Sequence, residues 1–142
     1  MVDTMRRARL MLIEDNDIDA EFVRRLVRRA ALDTEILHAV DGPSACDLVQ
    51  SLETEQEGCA QTTVFLDSQL PRMSGLEFLS HARSQGWLKN AKVYLLSSTR
   101  LPADFERAKS LGVEACLNKP IDKQTLLDVL SPPHSADQIT SA

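Results

Sequence analysis

The feature that most restricts the fold of this chain is an alternation, repeated five times, of short apolar runs with longer stretches whose apolar residues recur at helical spacing. Leu10, Met11, Leu12 and Ile13 form the first run, continuous as in a strand covered on both faces. It ends in Glu14, Asp15, Asn16 and Asp17, where Asn16 or Asp17 suits a helix N-cap. Ile18, Phe22, Val23, Leu26, Val27 and Ala30 then form one helical stripe, with Arg24, Arg25, Arg28 and Arg29 off it. Residues 34–39 read as a second strand. A turn at Asp41, Gly42 and Pro43 follows, then a helix carrying Ala45, Leu48, Val49 and Leu52. The polar residues 53–62 read as a helix end and loop. Residues 63–66 are a third strand, before a helix bearing Leu76, Leu79 and Ala82. Residues 93–96 are a fourth strand, and Pro102 opens a helix with Phe105, Ala108 and Leu111 that Gly112 caps. Residues 113–117 read as the fifth strand. Asp122 caps a last helix with Leu126, Leu127, Val129 and Leu130, which Ser131, Pro132 and Pro133 stop. Such an order implies right-handed crossovers and an α/β fold, a parallel sheet with helices on both faces.

With 142 residues there is room for one domain. The expected division is an N-terminal extension at 1–8, the domain at 9–131 and a small, polar, mobile tail at 132–142. A net charge of -5 argues against a nucleic-acid partner, because phosphate contacts need basic surface. No apolar run approaches a membrane span, and the one after Arg6, Arg7 and Arg9 is too short for a signal peptide. Cys46, Cys59 and Cys116 are odd in number and widely spaced, which suggests thiols in a reducing compartment. The cytoplasm is the expected location.

In a parallel sheet every strand's carboxyl end lies on one edge, where open α/β folds bind ligands. The first strand brings Glu14 and Asp15 to that edge, the third Asp67, the fourth Ser97 and the fifth Lys119. A single Asp after a strand more commonly serves a turn or cap. Here three carboxylates, a hydroxyl and an ammonium converge from four separate stretches. Three crowded carboxylates repel one another unless a cation sits among them, and oxygen-only ligands suit Mg²⁺. Beside a metal, a hydroxyl and a lysine, a carboxylate can also accept a phosphoryl group.

Glu14-Asp15, then Asp67 with Leu70-Pro71-Arg72-Met73-Ser74-Gly75, then Ser97, then Lys119-Pro120 together resemble the receiver domain of two-component response regulators. The intervals from Asp67 to Ser97 and from Ser97 to Lys119 are those usual in receivers, and the resemblance covers residues 10–130. It implies a doubly wound (βα)5, flavodoxin-like fold with a five-stranded parallel sheet of order 2-1-3-4-5. It implies a stand-alone response regulator whose Asp67 accepts a phosphoryl group from a sensor histidine kinase. By the same resemblance Asp15 is a direct Mg²⁺ ligand, Glu14 holds the metal partly through water, and Asp67 and the backbone carbonyl of Gln69 complete the set. Ser97 would move toward the phosphoryl group, Lys119 would pair with one of its oxygens, and the Lys119–Pro120 peptide would be cis. Such a protein catalyses its own phosphorylation and dephosphorylation and is not a conventional enzyme. It passes its signal to a downstream target by conformational change, or onward to a histidine phosphotransfer protein.

Two departures from the family pattern stand out. Cys116 occupies the position, three before the lysine, where receivers commonly carry Tyr or Phe. The familiar relay through a buried aromatic ring cannot operate in that form, and Cys116 reads as a small core residue. The segment 53–62 is long, as in small stand-alone receivers that serve bacterial phytochrome kinases. The arginines of the first helix read either as a solvated face with Glu21–Arg25 pairing or as a docking face for the kinase. A homodimer through the fourth helix, fifth strand and fifth helix stays open. A degenerate receiver acting only as an interaction module would have lost a carboxylate or the lysine, and neither is lost. A phosphohydrolase of the haloacid dehalogenase kind wants an Asp where Gln69 stands, and a nucleotide site wants a glycine-rich loop after the first strand.

Overall fold

The computed structural model describes residues 8–55, 58, 61–98 and 102–130. Of the expected extension at 1–8 only Ala8 is described, and it is the first residue of a strand; residues 1–7, the tail at 132–142 and Cys59 lie outside the described residues. Five strands alternate with five helices: β1 (Ala8–Ile13), α1 (Asp17–Arg29), β2 (Thr34–Ala39), α2 (Gly42–Glu53), β3 (Thr62–Asp67), α3 (Gly75–Ser84), β4 (Lys92–Ser97), α4 (Pro102–Ser110), β5 (Ala115–Asn118) and α5 (Lys123–Leu130). All strand pairs are parallel and the sheet order is β2-β1-β3-β4-β5, as expected.

The continuous apolar runs divide by their two-residue period. Met11, Ile13, Val64, Leu66, Val93 and Leu95 point to one face, where α2, α3 and α4 cover them with Val49, Phe78, Leu79 and Ala108 among others. Leu10, Leu12, Phe65 and Leu96 point to the other, against Ala20, Val23 and Val27 of α1 and Leu126 of α5. Each large side chain so buried contributes about 1.5–3 kcal/mol relative to exposure.

Helix starts follow the capping chemistry of the sequence. Asn16 accepts the Asp19 N–H at 3.0 Å, and Asp41 accepts that of Ser44 at 2.8 Å. Ser74 and Glu77 form a reciprocal capping box, and Asp122 accepts the Thr125 N–H at 2.8 Å.

Two expectations are corrected. Ile18 and Phe22 are not part of the buried stripe of α1. They are 79% and 41% exposed, whereas Ala20, Val23 and Val27 face the sheet. Ile18 lies five residues before Val23, about 140° around the helix, so it turns to solvent. The fifth strand begins at Ala115, not at residue 113. Gly112, at φ +81, reverses the chain so that the Val113 N–H closes α4 onto Ala108 O at 3.1 Å, and pairing with the sheet starts only with Glu114 N–H on Val93 O.

Candidate active site

Asp67 is the last residue of β3 and is buried, as is Glu14 just past β1; Asp15 is exposed. The parallel register of β1 with β3 places these ends side by side. One oxygen from each of Glu14, Asp15 and Asp67 lies within 4.8 Å of the others. Lys119 follows β5, and its Nζ lies 3.0 Å from Glu14 Oε1, 3.2 Å from Asp67 Oδ2 and 3.0 Å from Asp19 Oδ2. The other Asp67 oxygen, Oδ1, accepts the Gln69 N–H at 3.1 Å. The carboxylate is thus held at both oxygens. Ser97 is buried at the end of β4, one residue beyond the partner of Asp67 in the register, and its carbonyl accepts the Lys119 N–H at 3.0 Å. Gln69 is exposed, and the Lys119–Pro120 peptide is cis, as expected.

The loop between β3 and α3 is fixed from three directions. Ser68 N–H donates to Leu96 O at 2.9 Å, and Gly75 N–H returns to Ser68 O at 3.1 Å. A Cβ on Gly75 would collide with the Asp67 carbonyl oxygen, so only glycine lets α3 begin this close to the end of β3. Arg72, at φ +68, reaches Asp41 Oδ2 at 2.6 Å. Hydrogen bonds from the Ser44 hydroxyl and N–H, and then Arg72, hold the Asp41 carboxyl down to about 2. At the back of the site His38 accepts from Arg24 at Nδ1 (2.9 Å) and donates from Nε2 to the Glu14 carbonyl at 2.8 Å. Asn16 N–H donates to Glu14 Oε2 at 3.2 Å.

Charge at this edge is out of balance. Burial first, and then the hydrogen bond and negative charge of Asp67, push the Glu14 carboxyl up to about 7, against the opposing pull of Lys119. Burial works against the Lys119 ammonium, yet its hydrogen bonds to Asp19 and Glu14 and the charge of Asp67 raise its pKa above the ordinary value. A raised carboxylate inside an all-oxygen cluster is what a divalent cation relieves, and the donor set fits a hard, partly hydrated ion of the Mg²⁺ kind.

The response regulator receiver domain family matches the chain over residues 10–131. The chain belongs to that family. The receiver is 25% identical over 121 residues to the polar-differentiation response regulator DivK of Brucella anthropi, spanning 85% of this chain and 91% of that one. Its fold superposes on the chemotaxis protein CheY4 of Vibrio cholerae with a TM-score of 0.72 at 25% identity, over 88% of this chain and 97% of that one. A two-component response regulator from Legionella pneumophila matches with a TM-score of 0.74 at 23% identity, over 87% and 95% of the two chains.

In this receiver Cys116 is half-buried and packs against the apolar layer of α2 and α3, paired in the register with Leu95. Glu21 pairs with Arg24, Arg25 and Arg28 on α1, so the expected Glu21–Arg25 contact is present within a larger cluster. Beside the lysine a cleft of about 310 Å³ runs between Phe22 of α1 and Pro120–Ile121, with Ser98 at its rim. Sequence reasoning missed Asp19 as a partner of the lysine. The contact joins α1 to the turn after β5, so no spacing within one element announces it. Among the described residues no helix is long and apolar enough to cross a membrane.

Proposed function

We propose that this receiver accepts a phosphoryl group on Asp67 from the phosphohistidine of a sensor kinase, with Mg²⁺ held by Glu14, Asp15, Asp67 and the backbone carbonyl of Gln69. The observation that carries this reading is Asp67 itself. Its carboxylate is buried at the ligand-binding edge, held at both oxygens, and crowded by Glu14, Asp15 and Lys119. In the reaction an Asp67 oxygen gives an electron pair to phosphorus to form the new O–P bond, the P–N bond breaks, and the imidazole leaves with the electrons of that broken bond. Mg²⁺ held there would supply positive charge to the transferring oxygens. Lys119 offers N–H donors to the same oxygens, and the Ser97 hydroxyl donates to one of them as it moves inward. The first turn of α3, fixed by Gly75, keeps the acceptor from swinging away.

The acceptor is a residue of the chain, so each phosphorylation is a single turnover and water ends the signal. The output passes to a target protein by conformational change, or to a histidine phosphotransfer protein. With a thiol at position 116 the signal travels by a route other than burial of a ring at that position. Ile18 and Phe22 give α1 an exposed apolar patch, bordered by Asp17, Glu21 and Arg25, on which the kinase can dock. A kinase of the bacterial phytochrome kind is the first to test, on the length of the segment 53–62. The test of the chemistry is incubation with Mg²⁺ and acetyl phosphate. An acid-stable, base-labile adduct is expected, absent from Asp67→Asn and after chelation of the metal. No adduct, or equal labelling of Asp67→Asn, overturns the reading. Gel filtration with and without beryllofluoride tests the homodimer: a shift to twice the mass supports it, and an unchanged volume removes it.

A further inference from the structure

The Lys119 ammonium has three N–H groups and three carboxylate partners. Two of the partners, Glu14 and Asp67, belong to the acidic trio where the metal and the phosphoryl group are placed. The third, Asp19, lies outside that trio. It sits in the first turn of α1, its backbone fixed by the Asn16 cap at 3.0 Å and its side chain 46% exposed. Its position therefore does not depend on what occupies the trio. Phosphoryl transfer changes the surroundings of the other two partners. A metal takes the Glu14 and Asp67 oxygens, and a phosphoryl group esterifies one oxygen of Asp67. Asp19 is the partner that neither event removes.

We propose that Asp19 is a positioning residue for phosphoryl transfer: it anchors Lys119 from the α1 side, so that the ammonium stays at the reacting oxygens and shares Glu14 and Asp67 instead of monopolising them. The proposal rests on the phosphoacceptor reading of Asp67. Without Asp19 the ammonium has only Glu14 and Asp67 to bind, the two groups that a cation needs. It then competes with the metal, and once the metal enters it has no fixed anchor. Two losses follow from one substitution, and both pass through Lys119.

A double-mutant cycle separates this from a direct electrostatic effect of Asp19. The first readout is Mg²⁺ affinity by calorimetry on the full chain, which requires no phosphorylation. Asp19→Ala is expected to weaken Mg²⁺ by about fivefold in the parent, the size of a partly exposed charge-assisted contact. In the Lys119→Ala background the same substitution is expected to change it by less than about twofold. A fivefold loss in both backgrounds, or none in the parent, overturns the proposal. The second readout is the initial rate of labelling by acetyl phosphate. An Asp67 oxygen bonds to phosphorus and acetate leaves with the electron pair, so no further reactant is needed. Asp19→Ala is expected to slow this about fivefold, Asp19→Glu to restore most of the rate, and Asp19→Asn to remain slow. Equal rates for the Glu and Asn variants contradict an anchoring charge. Asp17→Ala, which removes an acid from the same turn, controls for the charge at the helix start, and melting curves exclude unfolding. If the parent itself takes no label, the function proposed for Asp67 fails, while the Mg²⁺ cycle still decides whether Asp19 acts through Lys119.

Discussion

Two cations stand at opposite ends of the same sheet, and their surroundings differ in kind. Arg9, at the start of β1, is buried, and it has partners to match: Glu55 at 3.3 Å and the Gly58 carbonyl at 2.9 Å. Its backbone N–H meets Gln61 O at 3.0 Å. The arrangement ties the loop after α2 to the sheet and, among the described residues, sets the cation against one carboxylate. At the carboxyl edge Lys119 meets three carboxylates, with Asp15 close to two of them, so four acids face one ammonium. A balanced buried charge holds architecture together. An unbalanced cluster costs stability while no cation is present, and is accounted for by chemistry that supplies the missing charge.

The comparison is broken most readily by exchanging the roles of the two cations. Lys119→Ala is expected to lower the rate of labelling by acetyl phosphate on the order of 10²–10³-fold, the usual cost of removing one donor at developing charge. Arg9→Met is expected to leave that rate unchanged. A similar loss from both would make Lys119 another structural cation.

Gly75→Ala tests how closely the site is tied to the fold. The added Cβ meets backbone, not a flexible side chain, so the expected loss in urea unfolding is about 3 kcal/mol. A neutral result would mean that α3 shifts freely against β3.

The imbalance at Glu14 predicts a pH dependence in metal-free protein. Its pKa rises on folding from 4.5 to about 7. Between those values the folded state binds more protons than the unfolded, so stability falls as pH rises and levels off above 7. The difference from Glu14→Gln should grow across that window by on the order of 2 kcal/mol, and saturating Mg²⁺ should remove it. A flat difference would show that Glu14 is not crowded. The smallest effect belongs to the structural end: Arg9→Met should cost about 1 kcal/mol in urea unfolding, because its acidic partner Glu55 is half exposed.

The fold was legible because the information is periodic. Continuous apolar runs ending in turn residues, separated by helical stripes, restrict the chain to a parallel sheet, and parallel strands bring Glu14, Asp67, Ser97 and Lys119 to one edge by topology. Apolar content did not reveal rotational phase. Ile18 and Phe22 belong to the sequence pattern of α1 but lie on a row that turns away from the sheet. Val113 looks like a strand residue, and the positive φ of Gly112 commits its N–H to closing α4. Asp19 meets Lys119 only through the packing of α1 beside the turn after β5, which no spacing within one element encodes. The tie from His38 to the Glu14 carbonyl is hidden for the same reason.

The most direct test of the central claim, that Asp67 is where the phosphoryl group arrives, is to reduce the labelled protein with borohydride and map the products by peptide mass spectrometry. Reduction converts an aspartyl phosphate to homoserine at the position that carried it. Homoserine at position 67, formed only when both Mg²⁺ and phosphodonor were present, is the predicted result. Homoserine at Asp15 or Asp19 instead, or at no position in a protein that binds Mg²⁺, would contradict it.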